Sequence, residues 1–514
     1  MKTKSSKVIS SLLILLFSLF LFQTTLFADV RLSHVFGDNM VLQRDMDLPI
    51  WGWADPGELI MVRFCEQTVS TRTNNKGEWK LKLAPVNAGG PYKMTITGLN
   101  KIQLNNILVG EVWLCSGQSN MEFPLNMVLN SEKEVAAADY PQIRFFRPPH
   151  KTAGQPQPDL DGTWAICKPP IAKTFSATAQ FFARKLYKEL NVPIGLIESA
   201  WGGTRIEPWT PPVGFAQISE LADIDLQIKK ANTDYRKAVA NQLDAIEQWV
   251  IKSRSALQKG EEVFDFPEQP IHFLNHRDRP TGLYNPMIHP LIPFAIRGAI
   301  WYQGCSNVSD KAGMLYYHKM RALIGGWRQL WNQGDFPFYF VQLAPFRYNW
   351  GGVTQFDLPE IWEAQTASLS IPNTGMAVTT DTVDNIQDIH PKNKQDVGYR
   401  LALWALAKTY GQKDLVYSGP LYKSMAIEGK KIRISFDHIG SGLASRDGKD
   451  LDWFEIAGAD GKYVEAKAQI DGDTIVVSNE SIVKPKAVRF GWNQEAQPNL
   501  MNKECLPASP FRTH

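Results

Sequence analysis

The sequence predicts an α/β protein: a parallel sheet wound with helices, carried between two smaller β-domains. Three observations predict it. Short apolar runs alternate with helical stretches from 106 to 413, short alternating strands broken by turn residues fill 29–105, and that short-strand pattern returns over 414–514. A chain of 514 residues suits about three domains at roughly 150 residues each. With 44% hydrophobic and 21% charged residues, bulk disorder is excluded.

In chain order, the first element is an export signal over residues 1–28. Lys2, Lys4 and Lys7 precede Val8 to Phe22, a run apolar but for Ser10, Ser11 and Ser18, and Ala28 is the small residue at the expected cut. A run of about fifteen is short of the twenty or so that span a bilayer. No Cys directly follows it to carry a lipid. The mature chain is therefore read as secreted or periplasmic, with no membrane partner after cleavage. Lys and Arg total 55 against 52 Asp and Glu, a formal +3, and losing the three N-terminal lysines leaves 52 of each sign. A neutral chain has no electrostatic footprint for nucleic acid, so that class of partner is excluded. Five cysteines, Cys65, Cys115, Cys167, Cys305 and Cys505, form no CxxC pair and no zinc pattern, and an odd count leaves at least one free thiol.

Over 29–105, runs such as Leu59 to Phe64 and Trp79 to Leu83 alternate between turns at Asn75-Lys76-Gly77 and Gly89-Gly90-Pro91, as in a small β-sandwich. Over 106–413 the expected strands are Val112 to Cys115, Ile194 to Ile197, Ala299 to Tyr302, Phe338 to Leu343 and Met376 to Thr379. One helix spans Ala177 to Leu190 and another begins near Pro391, with Val397, Leu401 and Trp404 on one face and Gly411 at its end. The charged, Ala- and Gln-rich stretch at about 215–260 reads as a helical insertion or a solvated helical hairpin. Strands such as Lys431 to Phe436 and Thr474 to Val477 then build the C-terminal β-domain.

The sharpest chemical feature is Val112-Trp113-Leu114-Cys115-Ser116-Gly117-Gln118-Ser119-Asn120-Met121, where a strand turns abruptly into a helix. A serine there is exposed at the sheet's C-terminal edge, beside N–H groups able to receive an oxyanion. Serine also caps helices, and from this segment alone both readings stand. A serine nucleophile needs a base. His390 follows a strand, in a loop crowded by Asp381, Asp384 and Asp388, any of which can hold an imidazole tautomer. Two further turns, Glu198 to Arg205 and Trp301 to Asn307, are polar and Gly-rich. Four such turns after strands of one sheet fit the rule that open α/β sheets place sites at strand C-termini. The 16 tryptophans suit both sugar stacking and core packing, and Trp201, Trp209 and Trp301 near the strand ends admit either role.

Gly117-Gln118-Ser119-Asn120-Met121, Trp201-Gly202-Gly203-Thr204, Trp301-Tyr302-Gln303-Gly304 and Asp388-Ile389-His390-Pro391-Lys392-Asn393-Lys394-Gln395 resemble the sialate O-acetylesterase family, within the SGNH (GDSL-type) hydrolases. They are also similar to carbohydrate acetylesterases acting on plant glycans. Gly282 to Asn285 and Leu506 to Phe511 extend the resemblance over nearly the whole mature chain. It implies a three-layer α/β/α catalytic domain and a serine esterase that removes acetyl groups from sugars without a metal or organic cofactor. It makes Ser119 the nucleophile and His390 the base. The oxyanion donors would be the N–H groups of Ser119 and Gly202 with an amide from Gln303 or Asn307, and Gln118, Trp201 and Arg205 the substrate contacts. Arg205 suits a sialate carboxylate, which a guanidinium holds through two hydrogen bonds. Two departures stand out: Cys305 replaces the family's usual Glu, and Gln387 replaces the Asp that many SGNH enzymes keep three residues before the histidine. The acidic partner is then Asp388, Asp384 or a backbone carbonyl. Three readings compete: an esterase of O-acetylated sialic acid, an acetylesterase of plant polysaccharides such as xylan or xyloglucan, and a non-catalytic glycan-binding protein, which Cys305 favours.

Overall fold

A computed structural model describes residues 29–513, so the expected export signal over 1–28 lies outside the described residues. Its organising element is strand β1, Lys101–Gly117. Up to Asn106 the strand alternates in exposure, and from Ile107 onward every residue is buried, the pattern of a strand passing from a sheet with one wet face into one covered on both. Its first half pairs antiparallel with Gly89–Thr97 and parallel with Val41–Gln43, inside the N-terminal β-structure. Residues 105 and 106 therefore lie within a strand. The register shifts beside them, and Asn106, at φ +55°, adopts the left-handed backbone that asparagine tolerates.

The second half of β1 is the centre of the α/β sheet. Its companions are β2 (Tyr140–Phe146), β3 (Trp164–Cys167), β4 (Ile194–Ala200), β5 (Gly298–Tyr302), β6 (Phe338–Val341) and β7 (Thr374–Ala377), in the order β3-β2-β4-β1-β5-β6-β7. All neighbours are parallel except β3 with β2. The α/β class and the parallel sheet are as the sequence pattern predicts, while β2 and β3 are additional strands. Only four residues of β2, Ile143 to Phe146, are buried, too few to stand out as an apolar run.

The helices that matter here are α1 (Ser119–Glu122), α2 (Ala177–Leu190), α3 (Ala222–Lys259), α4 (Leu315–Trp331), α5 (Asp357–Ala367) and α6 (Lys394–Trp404). Helix α2 has the expected bounds and is capped by Ser176, whose Oγ accepts the Ala179 N–H. Helices α2 and α6 pack closely at Gly398, where a Cβ would lie 2.6 Å from that of Phe181. Helix α6 starts three residues later than Pro391 suggests: Asn393 is its cap, accepting the Asp396 N–H, and Pro391 belongs to the loop before it. The stretch near 215–260 is one continuous 38-residue helix, not a hairpin, with only Ile228, Ala231, Ser253 and Ala256 buried. What folds back along it is extended chain, held where Trp249 Nε1 donates to the Phe264 carbonyl.

The hydrophobic core is shared unevenly. Residues of the N-terminal strands, such as Ile50, Ile60 and Val62, pack in one cluster with Trp113, Phe182 and Tyr339 of the α/β layers. The C-terminal strands build their own core from Ile434, Phe454, Val477, Val488 and Phe490. All five cysteines are free thiols.

Candidate active site

Strands β4 and β5 flank β1 with Ala200 and Tyr302 both opposite Gly117. Three loops thus leave one point at the C-terminal edge of the sheet. Gly117, at φ +142°, is required there, because a Cβ would meet the Tyr302 carbonyl oxygen. The Gln118 N–H donates to that same oxygen at 3.0 Å, and the Trp201 N–H donates to the Gly117 carbonyl at 3.1 Å. The Gln118 side chain ties in the third loop, its Oε1 accepting the Gly304 N–H at 3.1 Å. Ser119 then opens the single turn of α1. Gly202 approaches so near that a Cβ on it would sit 3.2 Å from that of Ser119.

Across this edge, His390 Nε2 is 2.8 Å from Ser119 Oγ. When Ser119 donates, the ring proton lies on Nδ1, which faces Asp388 Oδ1 at 3.4 Å. The same carboxylate oxygen accepts the His390 backbone N–H at 2.9 Å, so Asp388 shapes the loop as well as facing the ring. The other two aspartates are elsewhere: Asp381 forms a bidentate pair with Arg400, and Asp384 accepts the Lys392 N–H at 3.5 Å. Phe123 stacks on the imidazole, with centroids 6.0 Å apart at 23°. Burial, and next the charge of Lys394, lower the His390 pKa from its ordinary value against the opposing pull of Asp388, so the ring is kept neutral and able to accept a proton. Asp388 is 43% exposed and sits at a long distance, so Asp388→Asn is expected to cost roughly tenfold in kcat, far less than a buried triad aspartate. Steady-state hydrolysis of a soluble acetate ester checks this, and a loss above a thousandfold would show the carboxylate to be indispensable.

Of the expected oxyanion donors, Ser119 keeps a free N–H, whereas Gly202, Gln303 and Asn307 already have acceptors. The Gly202 N–H is given to Glu122 Oε2 at 2.8 Å. Gln303 Nε2 donates to the Thr204 carbonyl and to Asn307 Oδ1, while Asn307 Nδ2 donates to Glu207. Both amides are buried and brace the 202–207 turn from beneath. The reason is satisfaction: a buried amide without a partner is costly, and these loops offer each other carbonyls and carboxylates. Among the described residues, the N–H groups of Ser119 and Gly203 are given to no acceptor.

Sequence reasoning passed over four residues of this site. Glu122 joins His150 at 2.8 Å and is held below its ordinary pKa by that partner and the Gly202 N–H, although burial, the largest single influence, pulls upward. Lys394 is completely buried, and its Nζ donates to Asn120 Oδ1 at 2.6 Å. Asn120 Nδ2 in turn donates to the carbonyl of Ile389, the residue before His390, at 2.9 Å. The signal for Lys394 was a lysine one turn before the apolar face of α6, where an exposed cation is the ordinary expectation.

A cleft of about 630 Å³ opens over Ser119 and His390. Arg205 lines it with its guanidinium already on Asp310 at 2.6 Å. Gln118 and Cys305 also reach it, although Cys305 is buried and burial pushes its thiol up to about 11. Trp209 and Trp301 are fully buried beneath, so they pack rather than stack on sugar. Trp201 is partly buried, stacked on His150 at 4.3 Å and overlain by Arg277.

Residues 109–253 and 274–406 match the family model described as carbohydrate esterase, sialic acid-specific acetylesterase. The chain is 32% identical to the sialate O-acetylesterase of Mus musculus, covering 94% of each chain. To that of Homo sapiens it is 30% identical, covering 78% of this chain and 75% of the other. A solved carbohydrate acetylesterase from Xanthomonas citri superposes with a TM-score of 0.80 at 37% identity, over 95% of this chain and all of that one. With the serine and histidine meeting at the edge of such a sheet, the chain belongs to the sialate O-acetylesterase family of carbohydrate esterases, and is a carboxylic ester hydrolase.

Proposed function

We propose that this protein is an exported serine esterase that removes O-acetyl groups from sugars, O-acetylated sialic acid among them, through an acetyl-enzyme. The observation that carries the reading is the 2.8 Å approach of His390 Nε2 to Ser119 Oγ on the floor of an open cleft. His390 takes the Ser119 proton as Oγ attacks the acetyl carbonyl carbon. The N–H groups of Ser119 and Gly203 receive the oxyanion, Gly203 replacing its neighbour because Glu122 holds the Gly202 N–H. The imidazolium then gives its proton to the sugar oxygen as the ester C–O bond breaks. Water, deprotonated by His390, attacks acetyl-Ser119, and acetate leaves as Oγ regains a proton. Export rests on the N-terminal segment Lys2 to Ala28; among the described residues no helix is long and apolar enough to cross a membrane.

One observation favours a second substrate class. Arg205, the cation suited to a sialate carboxylate, is paired with Asp310, and among the described residues lining the cleft there is no other Lys or Arg, which suits a neutral acetylated glycan such as xylan or xyloglucan. Acetate release from O-acetylated sialic acid, acetylated xylan and acetylated xyloglucan tests both, with Arg205→Ala beside the parent. If sialate is bound through its carboxylate, Arg205→Ala is expected to lower kcat/KM for sialate by about 10- to 100-fold and spare a neutral acetate ester. An equal effect on the two esters overturns the sialate reading and leaves the neutral glycan.

A further inference from the structure

Only two of the 16 tryptophans are exposed, Trp350 at 46% and Trp453 at 40%. Trp350 lines the catalytic cleft, whereas Trp453 lines a separate pocket of about 390 Å³ between the C-terminal β-structure and residues 355–356. Trp453 is also conformationally costly. At φ +61° it occupies the left-handed region, which disfavours a bulky side chain, and such residues persist only where their surroundings over-determine them. That restraint is visible. Asp452 and Asn499 bond reciprocally, Asn499 N–H to Asp452 Oδ1 at 2.9 Å and Asp452 N–H to Asn499 Oδ1 at 3.3 Å, and the Trp453 carbonyl accepts the Gly491 N–H at 2.9 Å. The fold thus spends backbone strain on holding a large apolar ring in water.

Around that ring the pocket offers the groups that hydroxyls need. Asp452, Glu465, Asn493 and Gln355 line it, and among the described residues the Glu465 carboxylate has no partner. Its cation, Arg489, is committed to Glu455 through bonds of 2.5 and 2.8 Å and lies over Phe356. An apolar platform edged by acceptors, with no free positive charge, matches the C–H face and hydroxyls of an uncharged sugar ring and repels an acidic one. The pocket is also joined to the catalytic cleft. The loop carrying Trp350 is pinned to 494–495, with the Phe346 N–H on the Gln494 carbonyl, the Gln494 N–H on the Gln355 carbonyl, and Arg347 on Glu495.

We propose that the Trp453 pocket is a binding subsite for neutral sugar residues of a glycan chain, outside the catalytic cleft and carried with it on one braced loop. It deepens the reading above and rests on it for the identification of the bound chain as substrate; the binding itself does not depend on catalysis. The test is native-gel retardation of Ser119→Ala protein by soluble xylan, xyloglucan and a sialylated mucin, with and without Trp453→Asn. Asparagine removes the ring and suits the left-handed backbone, so the variant is expected to fold, and its Ser119-bearing form to hydrolyse p-nitrophenyl acetate within about twofold of the parent. Retardation by a neutral polysaccharide that weakens roughly tenfold in Trp453→Asn, the scale of one lost aromatic anchor, is the expected result. Glu465→Ala, at an exposed side chain, is expected to weaken it in the same direction. No retardation of the parent by any polymer, retardation by mucin alone, or equal retardation of Trp453→Asn each overturns the proposal. A parent that binds polysaccharide yet releases no acetate from any ester would instead sink the catalytic reading while leaving the subsite standing.

Discussion

Ser119→Ala is expected to lower kcat for acetyl release by on the order of 10⁴- to 10⁶-fold, the scale seen when a serine hydrolase loses its nucleophile. Among the described residues His390 makes its one side-chain hydroxyl contact with Ser119, and Cys305, also in the cleft, is buried with its thiol pushed up to about 11, which leaves little thiolate at neutral pH. His390→Ala is expected to cost nearly as much, and the double substitution no more than either alone, because the two residues act as one unit. Acetate release measured against the parent checks all three variants. Retention of more than a hundredth of the parent rate by Ser119→Ala would mean that hydrolysis runs through another group or through directly activated water.

Lys394→Met is expected to lower kcat by about 10- to 100-fold while changing KM little, the size of effect that slight misplacement of a reacting group produces. Nothing in Lys394 touches the cleft. Its Nζ lies over Phe123 and Tyr302 and donates to Asn120, and Asn120 in turn holds the Ile389 carbonyl, so the lysine sets where His390 stands relative to α1. It is a positioning residue, and pH separates that role from a merely structural one. The Lys394 charge lowers the His390 pKa, so removing it lets that pKa rise. The base works only when neutral, so the acid limb of the kcat/KM profile is expected to move to higher pH in Lys394→Met. Stability gives a second readout. Burial drives Lys394 down to about 7, whereas an unfolded lysine titrates near 10.4. Over the interval between these values the unfolded chain binds the extra proton, so parent stability rises with pH there. In Lys394→Met that rise is expected to vanish from melting curves taken between pH 7 and 10. A kcat loss with no movement of the acid limb would assign Lys394 to packing alone.

Much of this architecture is legible along the chain. The apolar runs at Val112, Ile194, Ala299, Phe338 and Met376 each became a parallel strand, because a strand buried on both faces must be apolar at every position. Abrupt turns rich in glycine marked where those strands end, and so brought Ser119 and the 201–205 and 303–307 loops to one edge. His390 was legible for a related reason, as a polar ring in an aspartate-rich loop between a strand and a helix. Helix α3 was less so: an amphipathic pattern reports helix but not whether the chain doubles back, and only four buried residues marked its path.

What the sequence by itself determined, then, is the five central parallel strands, the edge where they converge, and the serine and histidine that meet there, since hydrophobic periodicity and turn chemistry are local properties. Tertiary structure alone decided who bonds to whom. Gln303 and Asn307 brace the 202–207 turn because buried amides satisfy one another first. Gly202 gave its N–H to Glu122, Asp381 was taken by Arg400, and Arg205 by Asp310, each through a partner distant in sequence. Lys394 became a buried hub, and Trp453 a ring held in solvent, through neighbours that only packing supplies. The physical reason is that the worth of a hydrogen bond or a charge depends on what else is buried around it, and no local stretch of sequence carries that information.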